Sequence, residues 1–350
     1  MEQGLSSLLK QLVSRSAVNR RASILIIALW ALSLLATFAI ILGYNVRQRM
    51  SLVTKLNERA RLRFITEAGI KKVVIELSKE SDIGYSSLSD NWNDNTSAFK
   101  DVNVGRGTFS ISYTYRDKNS EGLKTRYGLV DEERKININE ASQITLKRLF
   151  RTSLNFNRVK AQELAAAIVD WRDADSALSI PLGSAEDSYY SNRRYPYEAK
   201  DAKFEVLDEL LLVRGMSKEI FEKLRGYITI YGDGKVNINT ASPEVLFALG
   251  LNEEVVNKIL SFRYGLDGIE ATDDDNIFYD SMRIVSKLSQ SFSMSSLQIA
   301  QLDVVSDQNL GVDSYHFTAK IKGELINKKA KTEVNCVITR EGDILYWQEF

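Results

Sequence analysis

The feature that most constrains this chain is a long apolar segment near its N-terminus. No charged residue lies between Arg21 and Arg47, and the uncharged residues 22–46 form a run of 25. A helix of that length rises ~38 Å and can cross a hydrocarbon core about 30 Å thick. The run is too long and too uniformly apolar for the hydrophobic region of a removed secretory signal. The sequence therefore predicts a membrane-spanning helix that the mature chain retains.

A polar and basic leader precedes that segment. Residues 1–21 carry four basic side chains against one acidic one, and the small residue Ala22 stands between Arg20-Arg21 and the apolar run. This arrangement resembles the start of type IV pilin-like precursors, whose leader is removed on the cytoplasmic side while the helix remains. The resemblance predicts cleavage between Ala22 and Ser23.

Helical spacing continues beyond the membrane segment. No proline or cluster of turn residues interrupts residues 23–79, and apolar side chains recur three or four residues apart between basic ones. The pattern predicts a helix that spans the membrane over residues 23–46 and continues to about residue 79. Basic residues lie on both sides of the membrane segment, and counting them alone would leave the large domain in the cytoplasm. We give more weight to Arg20 and Arg21, which abut the helix, and predict a single-pass inner-membrane protein with a periplasmic domain.

Charge and residue content narrow the functional class. Lysine and arginine total 46 and aspartate and glutamate total 46, so no net charge draws the chain to nucleic acid or anionic lipid. Cys336 is the only cysteine, which excludes an intramolecular disulfide. Cys336 and the single histidine, His316, lie in alternating strand patterns, where packed or surface residues are the ordinary case. No glycine-rich phosphate loop or nucleophile elbow occurs, and we predict that the chain is not an enzyme.

An eight-residue motif occurs twice, 100 residues apart. Residues 135–142 read Lys-Ile-Asn-Ile-Asn-Glu-Ala-Ser and residues 235–242 read Lys-Val-Asn-Ile-Asn-Thr-Ala-Ser, so that six of the eight positions are identical. Each copy predicts a short extended piece that runs into the start of a helix. Ser242 can accept a hydrogen bond from a free amide of the first turn, and Pro243 and Glu244 both favour a helix start.

Strand patterns flank a helical middle. Alternating residues predict strands within 107–117, 126–130, 313–325, 331–340 and 343–347, and helical spacing dominates between them. The chain is therefore predicted to be α+β, with a long N-terminal pilin-like helix, an antiparallel β scaffold and a large inserted α-helical domain. The predicted ranges are a leader at 1–22, the membrane helix from 23, the β scaffold at 80–135 and 276–350, and the inserted domain at 136–275.

Two hairpins in the helical part are similar to the helix-hairpin-helix units of DNA-binding proteins. They contain Gly215-Met216-Ser217 and Gly250-Leu251-Asn252, and both lack the second glycine with which such units present backbone amides to phosphate. Acidic residues crowd the same turns. A packing role is therefore favoured, and a membrane-anchored DNA-binding receptor is the alternative function.

An acidic cluster lies within this helical part. Five carboxyl groups fall within 18 residues, and Arg172 is the only basic side chain among them. They belong to Asp170, Asp173, Asp175, Glu186 and Asp187. Hard oxygen ligands of this kind suit calcium, although their order is not that of an EF-hand. From the spacing alone, a solvated acidic loop and a metal site are equally good interpretations.

Three stretches together resemble the protein K family of type II secretion system minor pseudopilins. They are the processed apolar N-terminus at 21–35, the segment Tyr-Gly-Leu-Val-Asp-Glu-Glu-Arg-Lys-Ile-Asn-Ile-Asn at 127–139, and residues 170–215 continuing into 236–249. The third stretch is the most specific, because it contains Asp-Trp-x-Asp-x-Asp from Asp170 and Gly-x-x-Glu-Asp-x-Tyr-Tyr from Gly183.

The resemblance implies a calcium site in the acidic loop, with the five acids from Asp170 to Asp187 as its ligands. It also implies assembly with other minor pseudopilins of the tip complex, processing by prepilin peptidase, and contact with the inner-membrane secretion platform, but no nucleic-acid partner. Two positions depart from the family pattern. Ala22 stands where the class prefers glycine, and Lys200-Asp201 stands where the family often has an asparagine, which changes the residue at one expected calcium contact.

The position of Ile27 bears on the place of the subunit in a filament. Counted from Ser23, Ile27 is the fifth residue of the mature chain, where major pilin subunits carry a glutamate. An acid there lies in the bilayer and needs the positively charged amino terminus of a neighbour. A subunit with isoleucine can still pair its own amino terminus with the glutamate of the subunit below. It has no acid that could pair with the amino terminus of a subunit above. Together with the resemblance, Ile27 predicts a subunit that caps the tip of the pseudopilus and helps initiate its assembly.

Overall fold

The computed structural model describes residues 2–80, 84–116, 122–181, 183, 185–326 and 330–350, with side chains described from Ser23 onward except that of Arg116. The architecture is α+β, as predicted. The helices are α1 (Glu2–Ser78), α2 (Thr96–Phe99), α3 (Gln143–Ser153), α4 (Arg158–Arg172), α5 (Asp187–Tyr190), α6 (Lys218–Leu224), α7 (Pro243–Ala248), α8 (Glu253–Arg263), α9 (Ile284–Ser291) and α10 (Ser296–Asn309). The strands are β1 (Val102–Val104), β2 (Gly107–Ile111), β3 (Tyr113–Arg116), β4 (Leu123–Arg126), β5 (Val130–Asp131), β6 (Ile136–Asn137), β7 (Ile228–Thr229), β8 (Val236–Asn237), β9 (Leu310–Gly311), β10 (His316–Leu325), β11 (Lys331–Thr339) and β12 (Ile344–Glu349).

The N-terminal unit comprises residues 1–61, and its described part is the first portion of α1. From Ile24 to Leu56 the large apolar side chains of this unit are exposed. An exposed apolar surface of this extent is typical of a membrane contact. Within the described residues, α1 is the single helix long and apolar enough to cross a bilayer, by length and composition. The structure thus contains the one apolar helix that the sequence predicts.

The second unit begins at Leu62 and contains a sheet against which the C-terminal part of α1 packs. Along α1, side chains such as Ile65, Val73 and Leu77 are buried at helical spacing. Gly69 faces the sheet, and a Cβ atom at that position would lie 2.9 Å from Cγ2 of Ile321. The missing side chain therefore allows helix and sheet to approach closely.

The sheet is antiparallel, with strand order β1-β2-β10-β11-β12 and with β5 paired to β10. In β10, Phe317 and Ile321 are buried in the core while Lys320 and Lys322 face outward, as the period-two pattern predicts. Cys336 in β11 is fully buried in this core, and burial raises the pKa of its thiol to about 12. It is a small core residue, which agrees with the prediction from sequence.

The helices from α3 to α10 surround a second hydrophobic core. Each copy of the repeated motif supplies it with a short strand followed by a capped helix. The first copy forms β6, parallel to β7, and the side chain of Ser142 caps α3; the second forms β8, parallel to β9, and the side chain of Ser242 caps α7. Both helix starts lie where the sequence predicts them.

Residues 284–309 differ from the expectation. We assigned residues 276–350 to the β scaffold, but α9 and α10 occupy 284–309, and their buried residues belong to the helical core. Leu302 and Val305 illustrate the helical spacing. Ser295 and Gln298 form a capping box at the start of α10. That Ser-x-x-Gln pattern is the local signal that identifies the helix, while the β scaffold resumes at β10.

Candidate functional site

The acidic loop begins where α4 ends. Asp170 lies in the last turn of α4 with no exposed surface, and Asp173 is the residue that directly follows the helix. The loop closes at α5, with Glu186 immediately before that helix and Asp187 at its first position. The structure therefore places four of the five predicted ligands at the two ends of one loop.

Three of the carboxylates hold the backbone of the loop. Asp170 accepts hydrogen bonds from the amides of Ser179 and Ala185, at 3.0 Å to Oδ1 and 3.2 Å to Oδ2. Asp187 Oδ1 accepts from the amide of Ala199 at 2.8 Å. Asp175, which is exposed, accepts from the amide of Ala177, two residues on, at 2.8 Å. These bonds hold the backbone in and next to the loop. The two acids that remain are Asp173 and Glu186.

Among the residues that the structure describes, Asp173 Oδ1 and Glu186 Oε1 are buried carboxylate oxygens without a hydrogen-bond partner. A buried polar atom left unpaired costs on the order of 1–3 kcal/mol. Burial raises the pKa of Glu186 to about 7, and the nearby carboxylates of Asp170 and Asp173 add to the effect. Burial also raises the pKa of Asp173, with Asp175 and Asp170 contributing. The two acids thus lie in a region of accumulated negative charge.

A sixth acid, Asp201, joins this region from the far side of the loop. Its carboxylate raises the pKa of both Asp173 and Glu186. Its backbone is in the left-handed region, with φ of 50°, and its amide donates to the carbonyl of Trp171 at 3.1 Å. Sequence reasoning treated this position only as a departure from the family pattern. The sequence signal that could have identified Asp201 as a further acid of this region is that aspartate, like the asparagine of the family pattern, carries a side-chain oxygen.

The nearby basic residues do not neutralise the acids. Lys200 pairs with Glu209, with Nζ 2.9 Å from Oε2. Arg172 directs Nη2 to the carbonyl of Ala141, and within the described part of the chain its buried Nη1 has no hydrogen-bond partner. Neither Lys200 nor Arg172 therefore forms an ion pair with an acid of the loop in the described part of the chain.

The donor set fits calcium, which takes carboxylate oxygens in flexible geometry. In the part of the chain that the structure describes, no three of these side chains converge on one point as a closed metal-binding group. Mutual repulsion explains the separation, because like charges disfavour close approach. A divalent cation would supply the partner that the orphan oxygens of Asp173 and Glu186 lack.

A second acidic cluster, Asp131-Glu132-Glu133, lies at the start of the helical region and has the opposite character. Glu132 pairs with Lys135 and accepts hydrogen bonds from the hydroxyls of Thr229 and Thr318. Charge and hydrogen bonds from these groups outweigh burial and lower its pKa.

The other two acids of this cluster also have partners within the chain. Asp131 accepts hydrogen bonds from Asn237 and Thr240, and burial together with Glu133 raises its pKa to about 7. Glu133 Oε1 lies 2.5 Å from Nδ1 of His316, and its Oε2 accepts from the amide of the same histidine at 3.1 Å. The single histidine is thus a packed residue of this network.

Comparisons with known proteins match the same regions. A family model described as type II secretion system protein K matches residues 124–233. The chain is 27% identical over 281 residues to the type II secretion system protein K of Aeromonas hydrophila, covering 76% of each chain. It is 29% identical over 151 residues to the protein K of Pseudomonas aeruginosa, covering 43% of this chain and 44% of that relative. The chain is therefore similar to the type II secretion system protein K family. The matched range contains both acidic clusters.

A solved structure is similar to this chain at the level of the fold. A chain of the crystal structure of the GspK-GspI-GspJ complex from the type 2 secretion system of enterotoxigenic Escherichia coli aligns with a TM-score of 0.64. The alignment covers 85% of this chain and 99% of that chain, at 17% sequence identity. The chain therefore shares its fold with a chain of that complex.

The remaining predicted sites lie on α1 and in the two hairpins. Ala22 lies within α1, and its side chain is outside the described side chains, whereas Ile27 is exposed. Gly215 and Gly250 have φ of 83° and 102°, which favours glycine at both turns. These turns connect packed helices, and the cleavage and filament-packing assignments stay predictions.

Proposed function

We propose that this chain is the minor pseudopilin that caps the periplasmic pseudopilus of a type II secretion system and helps initiate its assembly. Similarity to the protein K family supports the assignment to this secretion system, and Ile27 supports the position in the pseudopilus. With an apolar side chain at that place, the subunit lacks the acid that would pair with the amino terminus of a subunit above it. The proposal makes the helical insertion a head that occupies the free space at the tip.

The proposed partners are other minor pseudopilins. The relative of similar fold was crystallised in a complex of GspK, GspI and GspJ. By analogy, partner helices would pack along the apolar residues of α1, and partner domains against the β scaffold. Prepilin peptidase and the inner-membrane platform complete the proposed set, with the large domain in the periplasm.

Processing after Ala22 is the first step that this function requires. N-terminal sequencing of the membrane-extracted protein should read Ser-Ile-Leu-Ile, beginning at Ser23. An intact Met1 on protein that enters filaments would contradict the proposed maturation.

Calcium is the proposed structural ion of the helical region. Asp173 and Glu186 would supply the oxygens that now lack partners, with Asp170 and Asp201 at the same site and Asp187 and Asp175 at its edges. A bound cation contributes positive charge that draws the two ends of the loop together. The carboxylates themselves hold the loop backbone, so that ion binding and loop conformation are coupled.

The capping role is tested by counting and locating the labelled subunits on assembled filaments. Pseudopili assembled with gold-labelled protein should carry a label at one end of the filament, as expected for a subunit that cannot be followed by another. A regular series of labels along the shaft would show that the subunit repeats. As a control, the Ile27→Glu variant should leave the melting temperature of the periplasmic domain unchanged, because the substitution lies in the membrane segment.

A further inference from the structure

A group of basic side chains without acidic partners lies on one face of the helical region. The group comprises Lys147, Arg148, Arg151, Arg158 and Lys160, on α3 and at the start of α4. Among the residues that the structure describes, none of the five pairs with a carboxylate; Lys147 donates to a glutamine and Lys160 lies over a phenylalanine ring. In a chain with 46 basic and 46 acidic residues, this is a local concentration of positive charge.

Three concave regions meet around these cations, and together we call them the α3 groove. The smallest, of about 260 Å³, is lined by Ile144 and four of the basic side chains. A second, of about 530 Å³, combines Arg148 and Arg151 with the rings of Phe156 and Phe247. Arg148 lines all three regions and is thus common to the whole groove.

The third region extends the groove away from the cations. It measures about 610 Å³ and is lined by apolar side chains such as Leu249 and Val304 and by the amide groups of Gln301 and Gln308. Glu140 also borders it, and Arg148 is its only basic side chain among the described lining residues. The groove thus has a basic end and an apolar, amide-lined end.

Arg148 is held at the centre by the hairpin before α8. A Cβ atom at Gly250 would lie 2.4 Å from Nη1 of Arg148, so the glycine leaves room for the guanidinium. Gln301 Nε2 donates to the carbonyl of Gly250 at 2.6 Å and connects the hairpin to α10. The guanidinium therefore lies between the basic end and the apolar end.

The lining chemistry distinguishes between anionic partners. Guanidinium groups bind carboxylate and phosphate equally well by geometry. A nucleic-acid backbone requires cations along its whole track, whereas half of this groove is apolar and carries Glu140. Side-chain amides beside apolar surface suit an extended polypeptide, whose backbone can pair with the amides while alternate side chains occupy the pockets.

We propose that the α3 groove binds an extended acidic and apolar segment of a partner polypeptide, with carboxylates at the arginine end and apolar side chains at the Val304 end. The proposal does not depend on the tip position or on calcium. It gives the helical region a recognition surface in addition to its acidic loop.

The test is fluorescence anisotropy with the full-length chain in detergent micelles. The probe is a short fluorescein-labelled peptide of alternating glutamate and leucine, and we expect saturable binding that weakens with added salt. The Arg148→Glu/Arg151→Glu variant should weaken binding at least about tenfold, because two charge-assisted contacts become repulsive. The Val304→Asp variant should weaken the alternating peptide more than it weakens polyglutamate.

Matched controls separate the groove from general electrostatics. Arg283→Glu/Lys287→Glu reverses two exposed charges beside and on α9 and should change the dissociation constant less than about twofold. A milder pair, Arg151→Gln/Arg158→Gln, repeats the test without charge reversal, and circular dichroism verifies the fold of each variant.

Four results would overturn the proposal. The first is no peptide binding at millimolar concentration, and the second is binding that both charge-reversal variants weaken equally. The third is binding of a single-stranded oligonucleotide of equal charge as tightly as the peptide, lost on substitution of Arg148, which would identify a nucleic-acid surface. Competition by inorganic phosphate at low millimolar concentration would likewise indicate an anion site without peptide recognition.

Discussion

The acids at 131–133 and the acids of the loop from Asp170 to Asp201 are similar in type but differ in their partners. In the first group, Glu132 and Glu133 contact a lysine, a histidine and threonine hydroxyls of the same chain. In the second, Asp173 and Glu186 keep buried oxygens for which the described residues supply no hydrogen-bond partner. A polar group with partners stabilises the fold in which it lies, whereas one without them carries a free-energy cost that a ligand can remove.

The two groups should therefore respond to different changes. Removing an acidic side chain from the first group breaks ion pairs and hydrogen bonds within the chain and so lowers the stability of the fold. Neutralising an acid of the second group relieves charge repulsion when no cation is bound. When a cation is bound, the same substitution removes one of its ligands. Four experiments separate these behaviours, beginning with the largest effect.

Glu132→Ala should destabilise the protein by about 3–5 kcal/mol, because it leaves a buried lysine without its partner. Lys135 has a side chain only 11% exposed, and the hydroxyls of Thr229 and Thr318 also lose the carboxylate to which they donate. Denaturant unfolding monitored by tryptophan fluorescence measures the loss. The loss should be the same with calcium and with chelator.

Glu333→Ala is the matched control for that substitution. Glu333 pairs with Lys320 on the exposed face of the sheet, with side chains 36% and 54% exposed. An exposed pair of this kind is worth about 0–1 kcal/mol. Equal losses from the two variants would show that the first cluster is no more structural than a surface ion pair.

Calcium should stabilise the protein by about 2.7 kcal/mol at a hundred times the dissociation constant. Thermal unfolding in chelator and in millimolar calcium measures the shift, and magnesium should substitute poorly because it demands tighter octahedral geometry. Glu186→Gln should raise the melting temperature in chelator and abolish the calcium response, while Glu132→Ala should retain that response. A calcium response that survives in Glu186→Gln would contradict our ligand assignment.

The two groups of acids differ in how much of their role could be predicted from the sequence. The loop acids are local in sequence, so Asp170 to Asp187 could be recognised from composition and from the family pattern. The partners of the first group are not local: Thr229 lies 97 residues and Thr318 lies 186 residues from Glu132. Only the tertiary fold brings them together, and no pattern at 131–133 predicts whether those acids will be paired.

Helix caps and Asp201 illustrate the same distinction within the fold. Ser142 and Ser242 cap their helices where expected, because a cap depends on amides within the next three residues. Asp201 reaches the acidic loop through a left-handed residue and a hydrogen bond to Trp171, 30 residues earlier in the chain. Its approach depends on the path of the intervening segment, which local pattern does not specify.

The pH dependence should follow Glu186, whose pKa is raised to about 7. Without calcium, Glu186 keeps its proton up to about pH 7 in the folded state, whereas in the unfolded chain it releases the proton near its ordinary pKa of 4.5. The contribution of Glu186 to the free energy of unfolding therefore falls as the pH rises from 4.5 to about 7. Calcium requires the deprotonated form, so its affinity should fall by up to tenfold per pH unit below 7, or about 1.4 kcal/mol. Isothermal titration calorimetry at several pH values measures this, and Glu186→Gln should flatten the profile. An affinity that is constant from pH 5 to 8 would exclude Glu186 as a ligand.

The smallest effect concerns differences within the loop itself. Asp175 is exposed and bonds a local amide, whereas Asp173 has an oxygen that is buried and unpaired. Asp175→Asn should therefore weaken calcium binding by less than about threefold, the scale of an exposed charge contact, and Asp173→Asn should weaken it far more. Both substitutions remove one charge from the same segment, so net charge is matched and only the position of the oxygen differs. Equal weakening by the two variants would show that calcium responds to the total charge of the loop and that the orphan oxygens do not mark its ligands.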